Sequence, residues 1–220
     1  DATRVLGIIG KADPSTALVL SMHYIQHLVM ARSTRWPARL SRKLAKETVE
    51  GVALINALRV EPDLGTPLRG GLPATTARRS GDGWRLSGSK IYSTGSEGLR
   101  WGIVWARTDE AEPRVGQFLV PIGAEGVEIV PTWDSLGLRA SSSHEIRFRD
   151  VALPLDHAVD IRRPAEWAIR GDDAAAVEKA RSAFDSPLIV AVVSAPVAHP
   201  KVPEWEQFLS AGAVCLSLVN

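Results

Sequence analysis

The segment Gly88-Ser89-Lys90-Ile91-Tyr92-Ser93-Thr94-Gly95 lies at the centre of a run of short β-type segments. The run extends from about Val60 to Pro154, and turns rich in Gly, Asp and Pro separate its members. Ser80-Gly81-Asp82-Gly83 is a strong hairpin signal, because Asp-Gly accepts the positive φ angles that primed turns require. Short strands at this spacing predict a compact antiparallel sandwich or barrel. No strand, Gly-rich turn and helix follow one another here, so a Rossmann-type site is not expected.

Helices are predicted before this run. Asp13 and Pro14 are an N-cap and a first-turn proline, and apolar residues then repeat at helical spacing from Leu18 to Val29. Pro37 interrupts the pattern, and a second helix is predicted from about Ala38 to Leu58. The predicted strands are Ala74 to Arg79, Trp84 to Ser87, Lys90 to Ser93, Gly102 to Thr108, Val115 to Pro121, Val127 to Pro131 and Glu145 to Val151.

Two histidines in the first helix, His23 and His27, lie four residues apart on one helical face. This is also the spacing of a metal-binding pair, but no third ligand lies nearby in the sequence. We therefore expect ordinary packing at these positions and predict no metal site.

The composition is that of a globular protein. The chain has 220 residues, of which 45% are hydrophobic and 23% charged, so it can bury at least one core. Its formal net charge of +1 predicts neither nucleic-acid binding nor attraction to a membrane surface. Cys215 is the single cysteine, which rules out an intrachain disulfide and favours a reducing, cytoplasmic location. The apolar stretch from Ala17 to Ala31 is too short to span a bilayer.

Five motifs occur in an order known from one protein family. They are Val60-Glu61-Pro62, Gly65-Thr66-Pro67, Gly88-Ser89-Lys90-Ile91-Tyr92-Ser93-Thr94, Leu136-Gly137-Leu138-Arg139-Ala140-Ser141 and Phe148-Arg149-Asp150-Val151-Ala152-Leu153-Pro154. With them, residues from about 4 to 160 resemble the end of the N-terminal helical domain and the middle β-domain of an acyl-CoA dehydrogenase. Each motif alone is weak, but five in the expected order are strong together.

The resemblance implies an FAD site. Donors are needed at the carbonyl oxygens and N5 of the isoalloxazine, because reduction places negative charge there. By resemblance, the cofactor-binding residues are Val60, Thr66, Tyr92, Ser93 and Thr94. Tyr92 stands where the family usually has Trp to cover a ring face, and Val60 replaces a Thr and so lacks its hydroxyl. Arg139 and Ser141 are expected to order a loop rather than to contact ligand.

The resemblance also implies the reaction. In the family a carboxylate removes the α-proton of an acyl thioester while hydride leaves the β-carbon for the flavin. That base comes from a C-terminal helical domain, which is not visible in this sequence, so the catalytic residue is unknown. Glu61 belongs to the binding motif and is not predicted to be the base. The changes at Val60 and Tyr92 also leave open a monooxygenase relative, in which reduced flavin activates oxygen.

The C-terminal tail has a different pattern. A capped helix from about Gly171 precedes a continuously apolar segment around Ile189 to Val193, and a helix follows Pro203. This resembles a fragment of a nitroreductase-family flavoprotein, for which FMN would be the cofactor. Such a junction of two partial folds would expose apolar surface and favour poor solubility or oligomers. His199 and Glu204 are interpreted as local helix capping rather than as an acid–base pair.

These interpretations give an α+β multidomain chain with a helical N-terminal segment, an antiparallel β-sandwich or barrel and a short α/β tail. The predicted divisions are a partial helical domain at 1–58, the middle β-domain at 59–160, a junction at 161–170 and the nitroreductase-like fragment at 171–220. The origin of the tail stays open between a fused or engineered chain and one divergent protein.

Three functions follow from this organisation. The first is a flavin-dependent oxidoreductase of acyl-CoA dehydrogenase type, incomplete as it stands. The second is an FMN-dependent nitroreductase-like enzyme, and the third is a non-catalytic fused remnant. The expected partners are an acyl-CoA-like small molecule and further copies of the chain in a homo-oligomer, with no nucleic acid and no membrane.

Overall fold

The computed structural model describes residues 2–63 and 72–164. Within them are three α-helices and eight β-strands, which confirms the predicted α+β class. The helices are α1 (Ala2–Ala12), α2 (Pro14–Arg32) and α3 (Ala38–Glu50). The strands are β1 (Leu54–Leu58), β2 (Thr76–Ser80), β3 (Gly83–Lys90), β4 (Leu99–Thr108), β5 (Val115–Pro121), β6 (Val127–Val130), β7 (Glu145–Pro154) and β8 (Ala158–Arg162).

The chain divides into two compact units. The described part of the smaller unit comprises residues 2–18 and 134–141, and it contains α1 with the first residues of α2. The larger unit comprises residues 19–133 and 142–164, apart from the gap at 64–71, and it contains the whole sheet with α3 and the rest of α2.

The strands form one mixed sheet in the order β6-β7-β3-β2-β4-β5-β8, with β1 paired to β4. Among the described strands, five pairings are antiparallel and two are parallel. The parallel pairings join β1 and β2 to β4, where Leu58 pairs with Val104 and Thr76 with Arg107. β5 pairs with one side of β4, so β1 and β2 both pair with its other side, one after the other along the strand. A break between them remains opposite Trp105 and Ala106.

The sheet has a different apolar cluster on each face of its central strands. Successive side chains of a strand point to opposite faces. Accordingly, Phe118 and Val120 belong to one cluster, together with side chains of β3 and β7, whereas Leu119 belongs to the other. Trp84 of β3 meets Phe118 of β5 edge to face, with ring centroids 5.4 Å apart. Since β3 and β5 are not adjacent in the sheet, this contact shows that the sheet curves around its first cluster.

The second cluster attaches the helices to the sheet. Met30, Leu40 and Leu44 from α2 and α3 pack with buried residues of β1, β4 and β5. Polar contacts reinforce this packing: Trp101 Nε1 donates to Glu47 Oε2 at 2.7 Å, and the Lys43 ammonium lies 4.7 Å from the centroid of the Trp101 ring. The helical layer thus covers the face of the sheet that β1, β4 and β5 share.

The boundaries differ from the sequence prediction at several points. The second helix does not reach Leu58 but ends at Glu50, because Gly51 takes an extended conformation and residues 54–58 pair with β4. Trp84 to Lys90 is a single strand, and the chain leaves the sheet after Lys90, so the strand predicted from Lys90 to Ser93 is wrong beyond its first residue. Helix α1 and strand β8 were not predicted. The predicted tail of residues 171–220 lies outside the described residues, with Ile189 to Val193, His199 and Glu204.

Candidate functional site

Val60 and the residues Tyr92, Ser93 and Thr94 lie together where β3 ends, and we call these four residues the loop cluster. After Lys90 the chain turns through Ile91, Tyr92, Ser93 and Thr94, and the Ile91 N–H donates to the carbonyl oxygen of Val60 at 3.0 Å. This bond brings together four of the five residues that the sequence predicted for cofactor binding: Val60, Tyr92, Ser93 and Thr94. The fifth, Thr66, lies outside the described residues.

Tyr92 has an unusual backbone conformation. Its φ angle is +54°, a left-handed value that is uncommon for a bulky residue. Such a strained conformation persists only where the surrounding structure holds it. The side chain is 61% exposed although it is aromatic. The strained backbone thus presents an aromatic ring at the surface of the loop cluster.

Trp133 forms a second aromatic wall that the sequence analysis did not single out. Its ring lies almost perpendicular to that of Tyr92, at 85°, with the centroids 6.3 Å apart. The Trp133 N–H donates to His144 Nδ1 at 3.0 Å, and the Ser93 N–H donates to the carbonyl oxygen of His144 at 3.2 Å. Because its Nδ1 accepts, a neutral His144 carries its proton on Nε2. His144 therefore links both sides of the aromatic corner.

Thr94 is held from two sides. Asn56 Nδ2 donates to its carbonyl oxygen at 3.1 Å, and the Ser143 hydroxyl donates to Thr94 Oγ1 at 3.1 Å. With Oγ1 accepting from Ser143, the Thr94 hydroxyl proton can be donated to a further acceptor. Ser93 is buried, and its hydroxyl donates to the Lys90 carbonyl oxygen at 3.4 Å, so it supports the loop from within.

A buried ion pair lies directly beneath the loop cluster. Lys90 Nζ is 2.6 Å from Glu61 Oε1, and the two side chains are 0% and 4% exposed. The Glu61 carboxylate also accepts from the N–H groups of Ala74 and Thr75, at 2.7 and 3.0 Å, and from the Thr75 hydroxyl at 2.6 Å. Four donors, three from Ala74 and Thr75 and one from Lys90, therefore converge on one carboxylate.

The protein environment shifts the pKa values of both Glu61 and Lys90. Burial acts to raise the pKa of Glu61, but the hydrogen bonds from Lys90 and Thr75 and the Lys90 charge together hold it below the ordinary value of 4.5. Burial lowers the pKa of Lys90 from 10.5 to about 8, against the opposing effect of Glu61. A carboxylate so fully engaged and so weakly basic is unsuited to removing a proton from a substrate, in agreement with the role that the sequence suggested for Glu61.

The loop containing the Leu-Gly-x-Arg motif is ordered by its own contacts. Arg139 Nη1 donates to Asp134 Oδ1 at 3.1 Å and to the Ser135 carbonyl oxygen at 2.9 Å, and the Ser141 N–H donates to the Leu138 carbonyl oxygen at 2.9 Å. Arg139 and Ser141 thus order this loop, as the sequence predicted.

The two helical histidines are packing residues. His23 is buried, its ring centroid lies 4.5 Å from that of His27, and its Nδ1 accepts from the Ile55 N–H at 3.3 Å. Burial and then the His27 charge lower the pKa of His23, and burial lowers that of His27. Across residues 2–63 and 72–164, no three His, Cys, Asp or Glu side chains are grouped as a metal site would require.

Comparison with known proteins matches the sheet to one family. The profile described as "Acyl-CoA dehydrogenase, middle domain" covers residues 59–151, which include the loop cluster and the ion pair. Residues 59–151 match an acyl-CoA dehydrogenase middle domain. The resemblance inferred from the five motifs is thereby confirmed for this part of the chain.

Individual relatives extend this match. The chain is 29% identical over 153 residues to YdbM of Bacillus subtilis, which carries an acyl-CoA dehydrogenase name; the alignment covers 70% of this chain and 40% of YdbM. It is 37% identical over 89 residues to the mitochondrial short-chain specific acyl-CoA dehydrogenase of Rattus norvegicus, covering 40% of this chain and 22% of the rat protein. The chain therefore spans less than half the length of these relatives.

A solved flavoprotein shares the fold. The structure of KijD3 in complex with FMN and a dTDP-linked 3-amino-4-keto sugar matches with a TM-score of 0.64 and 26% identity, covering 100% of this chain and 56% of KijD3. In the described part of the acyl-CoA dehydrogenase-like chain, no helix combines the length and apolar character needed to cross a membrane.

Proposed function

We propose that the loop cluster of Val60, Tyr92, Ser93 and Thr94 binds the isoalloxazine ring of a flavin, with Thr66 completing the site. The observation that carries the proposal is the strained and exposed Tyr92 next to the Thr94 hydroxyl. Backbone strain in an ordered loop is typical of binding sites, where the surrounding structure stabilises it. An aromatic face beside hydrogen-bond donors is the combination that a planar, electron-accepting ring requires.

The donor set fits a flavin. The Thr94 hydroxyl, with Oγ1 accepting from Ser143, has its proton available for a ring nitrogen or carbonyl oxygen. Tyr92 and Trp133 provide two aromatic faces at 85°, so a ring stacked on one is met edge-on by the other. Loss of the hydroxyl at Val60 leaves backbone groups as the donors on that side. FAD is the cofactor that the family resemblance implies.

We further propose that the protein acts as an oxidoreductase of acyl-CoA dehydrogenase type on an acyl-CoA-like thioester. A bound flavin would accept the hydride equivalent from the β-carbon. The residues of this chain would orient the ring, cover one face and supply hydrogen bonds where negative charge develops. The carboxylate base would come from outside the described residues, since Glu61 is held by four donors. Homo-oligomer formation and a cytoplasmic location remain part of this proposal.

An FMN-dependent enzyme is the second candidate. It is supported by the FMN in the KijD3 structure and by the replacements at Val60 and Tyr92, which a monooxygenase relative would accommodate. The nitroreductase-like interpretation of residues 171–220, and the fused, non-catalytic alternative, remain predictions because that segment lies outside the described residues.

Cofactor identification and anaerobic reduction test these proposals together. We expect the purified chain, reconstituted with FAD and with FMN in separate samples, to retain FAD preferentially after gel filtration and denaturing release. Under anaerobic conditions the bound flavin should lose its absorbance near 450 nm when an acyl-CoA is added, and a flavin that keeps this absorbance would contradict the dehydrogenase activity. Preferential retention of FMN would favour the second candidate, and retention of neither flavin would contradict the binding proposal.

A further inference from the structure

We propose that the buried Glu61–Lys90 ion pair is a positioning device that sets the separation of the two flavin-facing segments, Val60 and Tyr92 to Thr94. The inference rests on the proposed flavin site and deepens it. Neither residue would touch the flavin; both would act through the segments that they connect.

The first support is the place of the pair in the chain. Glu61 directly follows Val60, and Lys90 precedes Tyr92 by two residues. Their charged atoms are 2.6 Å apart and shielded from solvent. A backbone hydrogen bond joins the same two segments, from the Ile91 N–H to the Val60 carbonyl oxygen at 3.0 Å. The two segments are thus joined twice, once through the backbone and once through the ion pair.

The second support is the break in the sheet. β1 and β2 follow each other along one edge of β4, and no ladder bond links them between Leu58 and Thr76 in the described pairings. The Glu61 carboxylate lies at this break and accepts from the N–H groups of Ala74 and Thr75, at the start of β2. It therefore supplies at the break the kind of contacts that a continuous strand would make through its backbone.

The third support is the choice of residue type. Buried apolar side chains of similar size often stabilise a protein as well as a buried ion pair does, because desolvation of the charges offsets their attraction. An ion pair with directional hydrogen bonds specifies a separation and an angle that apolar contacts do not. At this position, next to strained Tyr92, the specified geometry is what the flavin site needs.

The experiment compares four variants of the 220-residue chain. Thr75→Val removes one donor to Glu61 while keeping the side-chain shape, and Thr75→Ser restores a hydroxyl. Lys90→Met removes the charge partner, and Arg149→Gln removes an exposed ion pair with Glu128, 2.6 Å long, as the matched control. Each variant is titrated with FAD and with FMN by fluorescence quenching at a temperature where circular dichroism shows it folded. Amide hydrogen exchange at Ile91 and Ser93 is measured without flavin.

We expect Thr75→Val to weaken flavin binding by up to about fivefold, since the lost hydrogen bond to Glu61 sets the upper limit, and Lys90→Met to weaken it further. Exchange at Ile91 and Ser93 should accelerate in both variants, while the β4–β5 ladder stays unchanged. Thr75→Ser and Arg149→Gln should bind flavin as the parent does. If Lys90→Met does not fold, Thr75→Val alone decides.

Unchanged flavin binding in folded Thr75→Val, or unchanged exchange at Ile91 and Ser93, would overturn the positioning role. Exchange that accelerates equally across the whole sheet would also overturn it, since this indicates general stabilisation only. If the parent chain binds neither flavin, the proposed function fails, and the exchange measurement still decides whether the ion pair holds the two segments.

Discussion

At the scale of single residues, Lys90 combines a full positive charge with a side chain that is completely buried. Its hydrogen bond to Glu61 compensates only part of the desolvation, which is why its pKa falls to about 8. In the unfolded chain the same amine titrates near 10.5. Between these two values the unfolded chain binds more protons than the folded chain.

The free energy of unfolding should therefore rise with pH between about 8 and 10.5 through this one group. Below pH 8 both states hold the proton and the contribution of Lys90 does not change. The rise should be on the order of 3 kcal/mol, since each pKa unit corresponds to about 1.4 kcal/mol. Urea unfolding of the parent chain and of Lys90→Met across this pH range measures the difference in slope. Parallel pH dependences in the two proteins would show that Lys90 is not shifted in this way.

Single residues also show how far the sequence leads toward the site. The motif predicted Tyr92, Ser93 and Thr94 as neighbouring cofactor-binding residues but placed Lys90 to Ser93 in a strand, and the bond from Ile91 to Val60 brings the fourth residue beside them. Trp133 and His144 could not be predicted, because their contact with the loop comes from the return of β7 alongside β3. The positive φ of Tyr92 carries no sequence signal either, since the residue itself is not one that favours it.

At the scale of elements, β3 owes its shape to Gly88. This residue has a φ of +146° and lies where the pairing of β3 with β7 shifts register. A Cβ atom there would lie 2.6 Å from both Cα and Oγ1 of Thr75, the residue that donates to Glu61. The bulge thus brings β3 close to the ion pair just before the loop cluster begins.

Gly88→Ala should accordingly destabilise the chain by at least about 3 kcal/mol, through backbone strain and the overlap with Thr75. Gly81→Ala is the matched control, because Gly81 also has a positive φ, of +56°, but nothing lies within 4 Å of its Cβ position. Its cost should be limited to about 1 kcal/mol. Equal midpoints of urea unfolding for the two variants would contradict the proposed close approach.

Elements were predicted well where the signal is local and poorly where it depends on pairing. The β2–β3 hairpin follows from Asp82-Gly83, and β5 from Val115 to Pro121 agrees with its predicted bounds. Residues 54–58 show helical apolar spacing in continuation of α3, yet they form β1, because a parallel partner in β4 is available about 45 residues later. Only the tertiary structure decides between these two alternatives.

At the scale of the whole molecule, the described residues contain the proposed flavin site, and the proposed catalytic base lies outside them. Strands β2 to β6 and the loop cluster lie within residues 59–151, which match an acyl-CoA dehydrogenase middle domain, and the chain spans 40% of YdbM. Family motifs made the fold accessible from the sequence, since they recur in fixed order. The function of residues 165–220 is not accessible in the same way, and their nitroreductase-like character stays a prediction.

The central claim is that the loop cluster binds flavin, and an equilibrium titration of FAD into the parent chain, Thr94→Ala and Thr108→Ala tests it most directly. Thr108 is the matched control. It is the last residue of β4, whereas Thr94 lies shortly before the first residue of that strand, Leu99. We predict saturable binding with a shifted flavin absorption band for the parent and Thr108→Ala, and about tenfold weaker binding for Thr94→Ala, as expected for loss of one hydrogen bond to the ring. Identical binding curves for all three proteins, or no binding by the parent chain, would contradict the account.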